Sequence, residues 1–221
     1  MAVITFDDGY RNNLTDALPV LERYEVPATV YVSTGFVDGG VPYEYPLARA
    51  VSEGDSIDVT VAGKGISHRL TSRSSRVKAF REVAGVVKDS PEARRELVEE
   101  LSVDEVGVSM MDADEVREID DHPLVTVGAH GHRHLPLASL SDSEIEREVE
   151  VCTSELEDIL GHSVSHFSYP YGSNDARVRA SVRNAGYDTG VTTTQSYIRR
   201  RKLANKRYAI PRIDGSEIEF E

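Results

Sequence analysis

Short apolar, β-branched runs alternate with stretches of helical period along most of the chain. Ala2-Val3-Ile4, Ala28-Thr29-Val30-Tyr31-Val32-Ser33, Val125-Thr126-Val127-Gly128-Ala129, His166-Phe167-Ser168-Tyr169, Thr189-Gly190-Val191-Thr192-Thr193 and Tyr208-Ala209-Ile210 read as strands. The clearest helix covers about residues 143–160. There Ile145, Val149, Cys152, Leu156 and Ile159 recur every three or four positions and make one apolar face. Ser141 and Glu144 have capping-box spacing at its start, and Gly161 is placed to end it. Glu146, Glu148, Glu150, Glu155 and Glu157 occupy the other faces and read as solvated surface. Strands that alternate with helices predict a parallel sheet or barrel.

Residues 37–110 break this rhythm. Gly39-Gly40 and Pro42 interrupt the chain, and only 77–88 and 92–101 have a helical pattern. No catalytic pattern falls here. The 221 residues fit one domain, 1–221, with a mainly helical insertion at about 37–110 that caps or borders a site.

Composition narrows the partners. There are 38 acidic and 25 basic residues, a net charge of −13, which argues against a nucleic-acid-binding footprint. Only five of the basic residues are Lys, and this scarcity beside the acidic excess points to adaptation to high salt. The single cysteine, Cys152, excludes an internal disulfide and reads as a small core residue. No run reaches the ~20 apolar residues of a membrane span. The first strand starts at residue 2 with no leader before it, so the chain as it stands is expected to be cytoplasmic, and secreted only if a leader has been removed. The basic run Arg199-Arg200-Arg201-Lys202 reads as a solvated loop, with contact to an acidic glycan or a second subunit as the alternative.

The chemistry concentrates in three segments. Thr5-Phe6-Asp7-Asp8-Gly9 ends the first strand in adjacent carboxylates. Such a pair is a solvated Asp-Gly turn, or it holds a cation and does acid–base work. Gly128-Ala129-His130-Gly131-His132-Arg133-His134 follows another strand. Its His130 and His134, four apart on a helical turn, could share one cation, which leaves His132 pointing elsewhere. Two histidines and one carboxylate leave an open position, as catalytic sites do, and the second carboxylate could then accept a proton from an attacking water. Phe167-Ser168-Tyr169-Pro170-Tyr171-Gly172 reads as a strand end and tight turn. Its Tyr171 N–H could stabilise an oxyanion, and plain aromatic packing beside a turn fits equally well.

These segments resemble the polysaccharide deacetylases with a NodB homology domain, carbohydrate esterase family four. Thr5–Gly9 is similar to the family's first motif, and 130–134 to its H-S/T-x-x-H motif. Residues 167–172 resemble the F-A-Y-P-Y-G form of R-x-P-Y, and 208–213 a late segment of the same subgroup. The resemblance implies an α/β fold, a distorted (β/α) barrel with its site at the C-terminal strand ends. It implies Asp7 as base, Asp8, His130 and His134 as ligands of one divalent metal, and hydrolysis of N-acetyl or O-acetyl groups on sugars. Zinc is the expected metal; cobalt, nickel or iron would suit the same donors. Tyr169, Pro170 and Tyr171 are the substrate-binding candidates.

The chain departs from the family pattern in three places. Gly131 stands where Ser or Thr is usual, Ser168 where many members have Arg, and no histidine follows His166 to act as general acid. Arg212, just after the strand-like 208–210, is the candidate to replace the missing Arg beside Asp7, with a surface Arg as the alternative. Three rivals stay open: a hydrolase of a small amide or cyclic imide on the same fold, a non-haem iron oxygenase using the same triad, and an inactive glycan-binding homologue.

Overall fold

The structure, a computed structural model, describes residues 3–101, 109–198 and 203–215. The basic run 199–202 and the start of the Ala2-Val3-Ile4 run lie outside the described residues.

In chain order, β1 (Ile4–Phe6) leads through a π-helical turn (Asn13–Ala17) into α1 (Leu18–Tyr24), then β2 (Ala28–Val32). Next come α2 (Glu44–Glu53), β3 (Ser56–Val61), β4 (Lys64–Arg69), α3 (Arg73–Val87) and α4 (Pro91–Leu101). The chain continues with α5 (Ala113–Asp120), β5 (Val125–Ala129), α6 (Asp142–Leu160), β6 (His166–Ser168), α7 (Ala176–Asn184), β7 (Thr189–Gln195) and β8 (Ile210–Arg212). They form two compact units, one of Met1–Asp38 with Met110–Glu221 and one of Gly39–Ser109.

The first unit holds a six-stranded sheet in the order β1-β2-β5-β6-β7-β8. Every pairing is parallel. The sheet curls into a half-barrel with flanking helices. β2 is buried at all five positions, as a strand covered on both faces must be. The apolar face of α6 (Ile145, Val149, Cys152, Leu156) packs with Val30, Val127 and Phe167 in this unit's core. Glu144 accepts the Ser141 N–H at 2.9 Å at the start of α6, and Gly161 closes it in a left-handed conformation. β8 lies two residues later than the 208–210 run that patterning suggests. Because all six strands run the same way, the residues that follow β1, β2, β5 and β6 gather at one edge of the sheet.

The second unit has its own core, built on Leu47, Val59, Val61, Val83 and Leu97. Beside the helices expected there it contains α2 and an antiparallel hairpin, β3–β4, that patterning alone missed. The alternation is present, with Ile57, Val59 and Val61 buried between exposed neighbours. The turn is Ala62-Gly63, and both residues take positive φ. Ala62 lacks the Asn, Asp or Gly signal that marks such hairpins. No helix among the described residues is long and apolar enough to cross a membrane.

Candidate metal centre and its acid–base pair

Three side chains converge where β1 and β5 end. Asp8 Oδ1 lies 3.2 Å from His134 Nε2 and 3.4 Å from His130 Nε2. One ligand atom from each residue falls within 4.8 Å of the others. His130 is 2% exposed and His134 8%. The His130 Nδ1–H donates to the Ser168 carbonyl at 2.7 Å, which leaves its Nε2 with a lone pair aimed at Asp8. Asp8 Oδ1 is itself buried and accepts no hydrogen bond from the described residues. Lone pairs held this close repel unless a cation or proton sits among them. Donors bound to zinc at ~2.0–2.1 Å in a tetrahedron lie about 3.3 Å apart, so the trio fits a divalent ion.

The charges agree with this. Burial pushes the Asp8 carboxyl up, yet His130 and His134 outweigh it and hold it far below the usual carboxylate range. Burial also raises Asp7, and His130 and Arg212 together bring it below its ordinary value. For His130 burial works downward, and Asp7 and Asp8 override it and raise the imidazole. The pocket thus favours a positive charge at His130 Nε2, the place a bound cation would occupy.

Asp7 stands beside this trio, its Oδ2 3.9 Å from His130 Nε2. Arg212 meets it as a fork: Nη1 donates to Oδ1 and Nη2 to Oδ2, both at 2.7 Å. Arg212 also donates to Thr5 Oγ1 at 3.1 Å, to Ser168 Oγ at 3.2 Å and, through Nε, to the Thr192 carbonyl at 3.1 Å. Its guanidinium carbon lies 5.9 Å from the ring centre of Tyr31, a buried β2 residue that patterning marks only as core. A Cβ on Gly128 would meet that ring at 2.7 Å, so the glycine makes room for the platform under Arg212. Ser168 donates to Asp7 Oδ2 at 3.3 Å. A short side chain here leaves the Asp7 carboxylate to the guanidinium arriving from β8.

Left-handed backbone marks the same edge. Asp8 (φ 75°), His134 (φ 50°) and Tyr171 (φ 56°) are non-glycine residues there with positive φ. Gly131 (φ 74°) sits between the histidines, and a Cβ on it would touch Pro170 Cγ at 3.4 Å. Glycine in place of the motif's Ser or Thr suits this left-handed backbone. The Tyr171 ring packs on His134, centroids 4.6 Å apart, and is 42% exposed. Pro170 is buried against Gly131. Tyr169 corrects the substrate-binding expectation for its side chain. It is fully buried in the core, and its hydroxyl donates to the Tyr208 carbonyl at 2.9 Å.

One α6 carboxylate also differs from the surface reading. Glu148 is 1% exposed and accepts from Arg133 N at 2.8 Å and Arg133 Nε at 2.5 Å. Glu155 Oε2 lies 2.9 Å from His132 Nδ1, so His132 turns away from the trio. A cavity of about 590 Å³ opens beside Asp7 and Asp8, with Tyr10, Asn12, Asn13 and Asp16 in its wall.

Residues 1–190 match the family model described as polysaccharide deacetylase. YxkH of Bacillus subtilis (strain 168) is 22% identical over 191 residues, which is 86% of this chain and 44% of YxkH. The Streptococcus pyogenes deacetylase PplD, solved in complex with acetate, superimposes with a TM-score of 0.57 at 16% identity, covering 95% of this chain and 62% of PplD. A de-N-acetylase from Aggregatibacter actinomycetemcomitans gives 0.60 at 14% identity, covering 99% of this chain and 71% of that protein. At these identities the structural likeness is one of fold. The chain spans less than half of YxkH and about six-tenths of PplD.

Proposed function

From the premise that this chain belongs to the polysaccharide deacetylase family, we propose that it is a metal-dependent hydrolase that removes acetyl groups from acetylated carbohydrate. One observation carries the reading: Asp8, His130 and His134 converge on one point while Asp7, held by Arg212, lies alongside without joining them. A divalent ion held by Asp8, His130 and His134, zinc by the character of the donors, would polarise the acetyl carbonyl and acidify water. Asp7 accepts the proton as water adds to that carbonyl. Arg212 keeps Asp7 ionised and aimed, at the cost of a weaker base. The Tyr171 N–H is the proposed donor to the developing oxyanion. Collapse releases acetate, and Asp7 then holds the proton that the departing nitrogen needs. The amides, carboxylate and phenol around the 590 Å³ cavity offer hydrogen bonds and a ring face to sugar hydroxyls and pyranose faces. Acetate, the ligand in the PplD complex, is the product this reading expects.

The test is acetate release from acetylated glycans and small amides, with metal content measured on each variant. Asp8→Ala, His130→Ala and His134→Ala are expected to lose metal and turnover together. Asp7→Asn is expected to keep metal and lose turnover by roughly 10²–10⁴-fold. An active Asp7→Asn would remove Asp7 from the base role, and retention of metal by all three ligand variants would refute the centre.

A further inference from the structure

We propose that Glu148, on α6, is a positioning residue for the metal centre: it pins the peptide that aims His134. The inference rests on the metal-centre reading above. Glu148 is a carboxylate at 1% exposure in the middle of a helix, and burying such a group is costly unless it is paired. Its two oxygens are divided between two donors of one residue, Oε2 taking the Arg133 N–H at 2.8 Å and Oε1 the Arg133 Nε–H at 2.5 Å. Arg133 immediately precedes His134, whose φ of 50° is unfavourable for a side chain of its kind. An unfavourable conformation persists only where its surroundings over-determine it.

The loop is also held at its other residues, which shows what Glu148 adds. His130 N donates to the Val32 carbonyl at 2.8 Å, and the His130 carbonyl accepts from Ser33 Oγ at 2.9 Å. The His132 carbonyl accepts the Gly35 N–H at 2.8 Å, and its ring meets Glu155, one heptad after Glu148 on α6. The first half of the loop is thus fixed by β2 and the residues after it. The second half, leading into His134, is fixed from α6 through Glu148. Without that anchor, His134 can relax toward ordinary dihedrals and draw its Nε2 away from Asp8.

The test measures zinc affinity by competition with a chromophoric chelator, and the visible absorption of the cobalt-substituted protein, on folded variants. Glu148→Gln places an N–H₂ against a donor of Arg133 and is expected to weaken zinc by roughly 10–100-fold and alter the cobalt spectrum. Glu148→Asp keeps the charge and so guards against misfolding, but it is one methylene too short to span both donors. It is expected to lose several-fold and decides the matter if Glu148→Gln does not fold. Glu150→Gln removes the same charge from an exposed position and should bind zinc like the parent. Parental zinc affinity and cobalt spectrum in a folded Glu148 variant would overturn the inference. Asp8→Ala, run alongside, separates the two ideas. If it loses zinc while the Glu148 variants do not, only the positioning role fails; if it keeps zinc, the metal centre itself fails.

Discussion

Both units contain left-handed, non-glycine backbone, and the conformation does different work in each. In Gly39–Ser109, Ala62 and Gly63 take φ of 51° and 69° because a two-residue hairpin between twisted strands demands it. The side chains that brace that unit come from 22–40 positions away. Arg76 Nη1 closes the end of α2 by donating to the carbonyls of Val51, Ser52 and Gly54. Glu96 and Glu100 accept the N–H groups of Ala62 and Thr60 and cover an edge of the hairpin. In the sheet-bearing unit, Asp8, His134 and Tyr171 are left-handed at one sheet edge, and what they aim are side chains from distant segments. The Arg212–Asp7 fork spans 205 positions of sequence. Strain that shapes a turn is satisfied by the hairpin that contains it, whereas strain that aims ligands is held by side chains of other elements.

The comparison can be broken at its long-range end first. Arg212→Ala removes both bonds to Asp7 while leaving the three ligand side chains in place. Turnover is expected to fall roughly 10–100-fold with metal content unchanged. Arg212→Lys should recover little, because an ammonium cannot reproduce the fork. Parental turnover in Arg212→Ala would show that the pair serves only to hold β8 to β1.

A pair of glycine variants sharpens the contrast. Gly63→Ala and Gly131→Ala each force an L side chain into a positive φ, at about 1–2 kcal/mol by denaturant unfolding. Among the described residues nothing lies within 4 Å of a Cβ at Gly63, while at Gly131 it meets Pro170. Only Gly131→Ala is expected to weaken metal binding as well. Equal metal affinity in the two variants would remove the distinction between turn strain and aiming strain.

Salt separates exposed charge from buried charge. The −13 net charge motivates the proposal that the chain is adapted to high salt. Its melting temperature is then expected to rise between low and molar chloride, by ~2–4 °C for each kcal/mol of self-repulsion screened. The partly buried Asp7–Arg212 pair should respond less. A flat melting curve across that range would reject the proposal while leaving the enzymatic reading intact.

The smallest expected effect lies at the exposed pair His162–Asp120, 2.7 Å apart. The hydrogen bond to Asp120 raises the imidazole above its ordinary value. A raised folded-state value stabilises below the unfolded one and fades as pH rises through the folded one. His162→Asn should therefore cost ~0–1 kcal/mol near pH 5 and nothing near pH 9. A cost that grows with pH would contradict the assignment.

Local pattern carried much of the fold. Alternating strands and helices, the buried run of β2, and the cap residues of α6 report their own surroundings through period and side-chain type. The candidate trio of Asp8, His130 and His134 was legible for the same reason: two imidazoles four apart at a strand end, and paired carboxylates at another, stand out by spacing and type. The β3–β4 hairpin was hidden because Ala62 lacks the usual turn chemistry, although Ile57, Val59 and Val61 alternate correctly.

The sequence by itself determined the order of the sheet's strands along the chain, the apolar face of α6, and which residues are the candidates for metal ligands and for a base. Tertiary structure alone decided that Arg212 grips Asp7, that Tyr31 and Gly128 underlie it, that Tyr169 belongs to the core, and that Glu148 is buried where helical period made it a surface residue. Periodicity reports which residues share a face of an element. Whether a charge on that face is solvated or buried depends on a partner supplied by another segment, and only the folded chain brings that partner within reach.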